Sequence, residues 1–246
     1  MKSLDGKRIL VTGGSRGLGL DICETLLKSK ASVITTARQS TADVEDLNQR
    51  FENHFEFFSC DFSDNKQLGS FVEKARLMNK PVHGLVANAA VGTEGLLTLL
   101  SHDQIHRSLQ INLHATILIT QAVLKSMLAH QQSGSLVFIS SACAHRGFKG
   151  LSVYAAAKAG LCGFSKAVAR EYGPRGVRSN AVLPGFLQTE MTRNLSGSQT
   201  ESIRKRTSLK RLGKPCDVTQ TVLHLLSDES HYITGSEIVV DGGLTN

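Results

Sequence analysis

Short runs of β-branched and aromatic residues recur along the chain, each followed by a longer stretch with helical spacing. They are ILVT at Ile9 to Thr12, VITT at Val33 to Thr36, FEFF near Phe57, GLVA near Leu85, LVFIS ending at Ser140 and IVV at Ile238. Strands separated by helices pair in parallel, and runs this apolar on both faces need helices on both sides of the sheet. The expected fold class is therefore α/β, a doubly wound parallel sheet. With 246 residues and no low-complexity linker, the chain reads as a single domain over 1–246. Ser101 and Gln104 have the spacing of a capping box that opens a long helix toward Gln132, and Pro215 suits the first turn of another. The stretch 186–213 has no strand pattern and reads as a flap on the substrate side.

Composition narrows the function classes. Apolar residues make up 41% and charged residues 20%, and no window holds the roughly 18 uninterrupted apolar residues of a membrane span. No membrane partner is expected. The start, MKSLDGKRILVTGG, lacks an apolar segment with a small-residue cleavage site, so a cytoplasmic location is expected. Cys23, Cys60, Cys143, Cys162 and Cys216 form no CxxC pair and read as reduced packing residues. No metal is expected, since the nine histidines show no ligand spacing. The formal charge of +7 favours anionic partners, and six basic residues crowd between Arg204 and Lys214. Nucleic-acid modules interleave such charge with stacking aromatics, absent from this stretch, so no nucleic-acid partner is expected.

The first strand runs into Thr12-Gly13-Gly14-Ser15-Arg16-Gly17-Leu18-Gly19 and then a helical pattern. Glycines there let the backbone turn tightly and approach a pyrophosphate, which the free amides and positive end of the helix stabilise. The strand, turn and helix together predict a Rossmann dinucleotide fold. At the end of the second strand, where an acid would hold a ribose 2′-hydroxyl, stand Ala37 and Arg38. Arg38, with Arg16, offers planar donors that match a 2′-phosphate, so NADP(H) is expected as cofactor over NAD(H).

A second constellation follows the strand ending at Ser140. Tyr154 and Lys158 are four apart at the start of an Ala-rich helix and so share one face. A neighbouring ammonium favours the phenolate, which predicts a Tyr154 pKa lowered toward the range useful for proton transfer. With TGGSRGLG, Cys60-Asp61, Asn88-Ala89-Ala90, Asn112, Ser141, YAAAK, Pro184-Gly185, Thr189 and the terminal VDGG in order, the chain resembles the short-chain dehydrogenase/reductase family, most closely its 3-oxoacyl-acyl-carrier-protein reductase branch.

The resemblance implies Tyr154 as acid/base, Lys158 lowering its pKa and holding the nicotinamide ribose, Ser141 binding the substrate oxygen, and Asn112 supporting a water-linked proton path. It places Gly13, Ser15, Arg16, Gly17, Leu18 and Gly19 at the pyrophosphate, Asp61 at the adenine, Asn88 at the adenosine ribose, and Pro184, Gly185 and Thr189 beside the nicotinamide. Ser141 is preferred to Ser140 because it precedes Tyr154 by the family's 13 residues. The substrate expected is a β-ketoacyl thioester, carried on an acyl carrier protein or coenzyme A. A homotetramer is implied too, with helices around Leu113 to Leu128 and Ala155 to Ala169 able to pair across subunits.

Some residues depart from the pattern. Ala87 and Ala90 replace the first Asn and the Gly of the family's NNAG, and Gln132 stands where the carrier-protein reductases carry a basic residue, although Arg175 fits their second basic position. These departures leave open an enzyme acting on another alcohol or ketone, possibly oxidatively. A protein that binds NADP(H) without turnover is the reading from a different class.

Overall fold

The computed structural model describes residues 4–75, 77–193 and 196–245. Met1 to Ser3 and Asn246 of the expected domain, and Asn194 and Leu195 of the expected flap, lie outside the described residues. The chain alternates as predicted: β1 (Arg8–Thr12), α1 (Gly17–Lys28), β2 (Ser32–Ala37), α2 (Ala42–Arg50), β3 (Phe55–Ser59), α3 (Asn65–Lys74) and β4 (Gly84–Ala87). Then α4 (His102–Leu109) continues through a π-turn, Gln110–His114, into α5 (Ala115–Ala129), followed by β5 (Gly134–Ile139), α6 (Cys143–Arg146) and α7 (Ser152–Tyr172). The chain closes with β6 (Val177–Pro184), α8 (Gly197–Arg206), α9 (Pro215–Leu226) and β7 (Glu237–Val240).

The strands form one seven-stranded sheet in the order β3-β2-β1-β4-β5-β6-β7, with neighbouring strands paired in parallel. Period-two alternation divides each central strand between two cores. Ile9 and Val11 of β1 and Val137 and Ile139 of β5 pack with α1, α2 and α9, while Leu10, Leu136 and Phe138 pack with α3, α5 and α7. Each such side chain removed from water contributes roughly 1.5–3 kcal/mol, so both helical layers are held to the sheet by the apolar runs themselves. The capping box at Ser101 and Gln104 and Pro215 at a helix start are both present, and the helix opened at Ser101 ends at Ala129. His102–Ala129 is long and apolar enough to cross a membrane, yet 56% of its most apolar window is buried within the fold, as a core helix requires.

The strand β6 has no counterpart among the predicted runs. Its sequence, VRSNAVLP, places Arg178, Ser179 and Asn180 in succession, which hides the strand from a reading of apolar runs. Tertiary partners make those groups tolerable there. Arg178 donates to the Ile233 and Ser227 carbonyls, Asn180 donates to Ile233 and accepts from the Ser236 amide, and Ser179 bonds Ser165.

The order of strands decides where a ligand can bind. From β1 the chain winds outward through β2 to β3, then returns to β4 and winds the other way. The loops leaving β1 and β4 therefore diverge, and a crevice opens beyond their carboxyl ends. It is continuous, about 860 Å³, and lined by residues of the glycine loop, of the ends of β2, β3, β4 and β5, of the start of α7 and of the loop after β6.

Candidate active site

The glycine loop is built so that nothing stands between backbone and ligand. Gly13 adopts φ of +73°, and a Cβ there would lie 2.8 Å from the Ala89 Cα. A Cβ on Gly19 would lie 2.1 Å from the Gly13 carbonyl oxygen, so the first turn of α1 can sit this close only as glycine. Asn88, at the end of β4, ties the loop down by donating its side-chain amide to the carbonyls of Thr12 at 3.0 Å and Gly13 at 3.1 Å. No side chain caps α1, whose first amides thus remain available to an anion. Gly13, Ser15, Arg16, Gly17, Leu18, Gly19 and Asn88 all line the cleft.

The end of the cleft beyond β2 and β3 carries Arg38 and Asp61. Asp61 accepts from the Ser63 amide at 2.9 Å and hydroxyl at 2.8 Å, and the amide bond above all holds its carboxyl below the usual range. Arg38 lies at this end, in the position predicted for a 2′-phosphate ligand. Arg16 does not join it. The Arg16 guanidinium pairs instead with Glu190 in the loop after β6, at 2.6 Å between two exposed side chains.

At the other end, Ser141, Tyr154, Lys158, Pro184, Gly185 and Thr189 come together on the cleft wall. The Lys158 Nζ lies 5.6 Å from the centre of the Tyr154 ring and donates to the Ile139 carbonyl at 2.7 Å. That bond joins α7 to the end of β5. The electrostatics differ from the sequence expectation. Burial pushes the Tyr154 phenol above its ordinary value, and burial brings Lys158, 1% exposed, down to about 8. Desolvation is the largest cause for both groups because each charged form has lost its water, and Cys143 adds to the rise at Tyr154. The phenol is therefore held protonated.

Two serines compete for the substrate oxygen, and their bonds separate them. The Ser140 hydroxyl is buried and donates to the Lys158 carbonyl at 2.8 Å, which makes it a brace for α7. Ser141 is half-buried and lines the cleft, where its oxygen accepts a long bond from the Cys143 amide at 3.3 Å and its hydroxyl meets the Cys143 thiol. Asn112 is not brought to the cleft by its side chain. From the π-turn it accepts from the Val91 amide at 2.8 Å and donates to the Val91 carbonyl at 2.9 Å. It thereby positions Val91, which does line the cleft.

Other residues around the cleft are placed as follows. Phe148 meets Phe186 edge to face at 5.7 Å, and His145 binds Glu237 at 2.5 Å. The ends of the stretch 186–213 are pinned to each other, since Leu187 bridges Gly213 and the Gly213 amide donates to Phe186 at 2.9 Å. Much of the basic cluster is engaged locally: Arg204 pairs with Glu201, Arg211 takes both oxygens of Asp217, and Lys210 donates to the Lys205 carbonyl. Ala87 packs into the core and Ala90 lines the cleft. Glu190 and Arg107 also line it. Neither belongs to a motif, and only the fold carries them there.

Comparison with known proteins agrees with this fold. A family model described as enoyl-(acyl carrier protein) reductase matches residues 13–245. The 3-oxoacyl-[acyl-carrier-protein] reductase FabG of Salmonella typhimurium is 36% identical over 242 residues, 98% of each chain. Among solved structures, a short chain dehydrogenase/reductase family protein is 30% identical with a TM-score of 0.88 over 99% of both chains. A protein of Agrobacterium tumefaciens named a 2-deoxy-D-gluconate 3-dehydrogenase, solved with bound NADP, is 29% identical with a TM-score of 0.92 over 98% of this chain and 97% of its own.

Proposed function

The chain belongs to the short-chain dehydrogenase/reductase family, and on that premise we propose that it uses NADP(H) to reduce a β-ketoacyl thioester to the β-hydroxyacyl form. The observation that carries this reading is the continuity of the cleft. One groove of about 860 Å³ joins an uncapped helix end and Arg38 to a protonated phenol and the Ser141 hydroxyl. The residues fit the dinucleotide: the loop closes against Ala89 and Gly13 only as glycine, and no acid at the end of β2 repels a 2′-phosphate.

When bound, NADPH supplies the hydride. The chain supplies everything that handles the oxygen. As negative charge develops on the substrate carbonyl oxygen, Ser141 donates a hydrogen bond and Tyr154 delivers its proton, the form that burial already favours at neutral pH. Lys158 gives one of its three donor positions to Ile139 and lines the cleft beside the phenol, where its remaining donors would hold the nicotinamide ribose. Asn112 is a positioning residue that fixes the Val91 wall. Pro184, Gly185 and Thr189, which line the cleft, would border the nicotinamide, with 186–213 as a flap over the substrate.

An NADPH-oxidation screen across β-ketoacyl thioesters, free and on an acyl carrier protein, and simple ketones, run beside an NADP+-reduction screen across sugar acids and simple alcohols, tests the substrate assignment. Turnover is expected with the thioesters. Activity confined to sugar or other alcohol oxidation would move the chain to the second reading, which the likeness to the gluconate-type enzyme favours. Arg38→Ala is expected to weaken NADPH binding about 10- to 100-fold, the range of a lost charge-assisted bond, with NADH little changed. Equal affinities of the variant and the wild type for NADPH would remove Arg38 from the site.

The acyl carrier is proposed as partner through the branch resemblance, and a homotetramer through α5 and α7. The α5 helix supports that assembly because Leu118 and Ala122 are only partly buried and Leu128 is 42% exposed.

A further inference from the structure

We propose that Arg107 is a purine clamp, an arginine whose planar guanidinium lies against the adenine base at the end of the cleft that Arg38 and Asp61 mark. The inference rests on the cofactor reading above and adds a binding residue that no motif contains.

Arg107 lies in the last turn of α4 and lines the cleft together with Cys60, Asp61 and Phe62. Its position is set by its neighbours. Ser108 and Gln110 are buried, and the Gln110 side chain donates to the Phe62 carbonyl at 3.3 Å and to Asn65 Oδ1 at 2.8 Å. Those bonds lock the end of α4 to the loop that carries Asp61, so Arg107 is presented to the cleft from a fixed base. Arg107 itself is exposed, and its guanidinium makes no hydrogen bond or salt bridge among the described residues. Arg8, Arg16, Arg50, Arg178, Arg204 and Arg211 all have such partners.

The two arginines at this end approach from different walls. Arg38 leaves the end of β2, where the ribose 2′-substituent is recognised in this fold. Arg107 comes from the α4 wall, and Asp61 feels both. Its carboxyl is held down first by the Ser63 amide and also by the positive fields of Arg107 and Arg38. A base lying between those walls needs a flat surface. The cleft's aromatic residues are Phe62, Tyr154 and Phe186, and Phe62 is only 6% exposed, while Tyr154 belongs to the catalytic end. Arginine supplies the plane, since its weakly hydrated guanidinium stacks on aromatic faces and a compact ammonium does not.

Dissociation constants for NADPH and NADH, read by nicotinamide fluorescence on the full chain, test the clamp in Arg107→Ala and Arg107→Lys. Loss of stacking predicts about five- to tenfold weaker binding of both cofactors in Arg107→Ala, to the same degree. Arg107→Lys keeps the charge without the plane and is expected to recover little. Three results would overturn the proposal: wild-type affinity in Arg107→Ala, a loss confined to NADPH, or full rescue by lysine, the last two marking a phosphate contact. Wild-type protein that binds neither cofactor would instead strike the cofactor reading itself. The substitution is at an exposed position, and an unchanged melting temperature of both variants separates a lost contact from a lost fold.

Discussion

Tyr154→Phe is expected to lower kcat by about 10²- to 10⁴-fold, the usual contribution of a positioned proton donor, while NADPH affinity stays close to that of the wild type. The argument starts from burial. Removing water from around the ring raises the phenol's pKa, so the protonated form dominates at neutral pH and a proton is ready when the carbonyl oxygen gains charge. Phenylalanine keeps the shape of the wall and loses only that proton. Steady-state rates with a β-ketoacyl thioester and a direct binding titration check the two halves separately. A variant retaining more than about a tenth of wild-type kcat would show that another group protonates the oxygen.

Lys158→Met is expected to do something less usual, to eliminate turnover and stabilise the fold at neutral pH. Lys158 is 1% exposed and burial lowers its pKa to about 8 from an ordinary 10.5. The sign follows from proton binding. Between pH 8 and 10.5 the unfolded lysine holds a proton that the folded one has released, so stability rises with pH across that window. Below pH 8 the whole cost of burying the charge applies, on the order of 3 kcal/mol for a shift of this size.

Methionine removes that cost and leaves the Ile139 carbonyl without its donor, which returns about 1 kcal/mol. The net gain near pH 7 is about 2 kcal/mol, a rise in Tm of roughly 4–8 °C. Melting curves of both proteins at pH 7 and pH 10 measure it, and the advantage should shrink at the higher pH. A variant less stable than wild type by the same margin at both pH values would mean that the lysine is a structural brace only. The expected trade of stability for activity is common where a site needs a buried charge.

Each of these residues was legible in the chain to a different depth. Tyr154 and Lys158 were visible because the helical repeat alone puts residues four apart on one face, and the glycine loop because strand, turn and helix follow each other locally. The direction of the Tyr154 shift was not visible. Spacing reports a neighbouring charge but not the solvent each group loses, and burial dominates both groups here. Asn112 illustrates the same limit, since its amide faces Val91, a partner 21 residues away that only the packed loop supplies. Arg16 could be matched to a phosphate from its place in the loop, but its pairing with Glu190 spans 174 residues and depends on the loop after β6.

By itself, the order of apolar runs and helical stretches determined a doubly wound parallel sheet, because each strand with two apolar faces needs a helix on either side and short-range patterning encodes both periods. The tertiary structure alone decided that a strand as polar as β6 joins the sheet, which of two adjacent serines braces α7, and that Arg107 reaches the cleft. Those outcomes depend on partners distant in the chain, and a hydrogen bond or a lost hydration shell exists only once folding has brought them together.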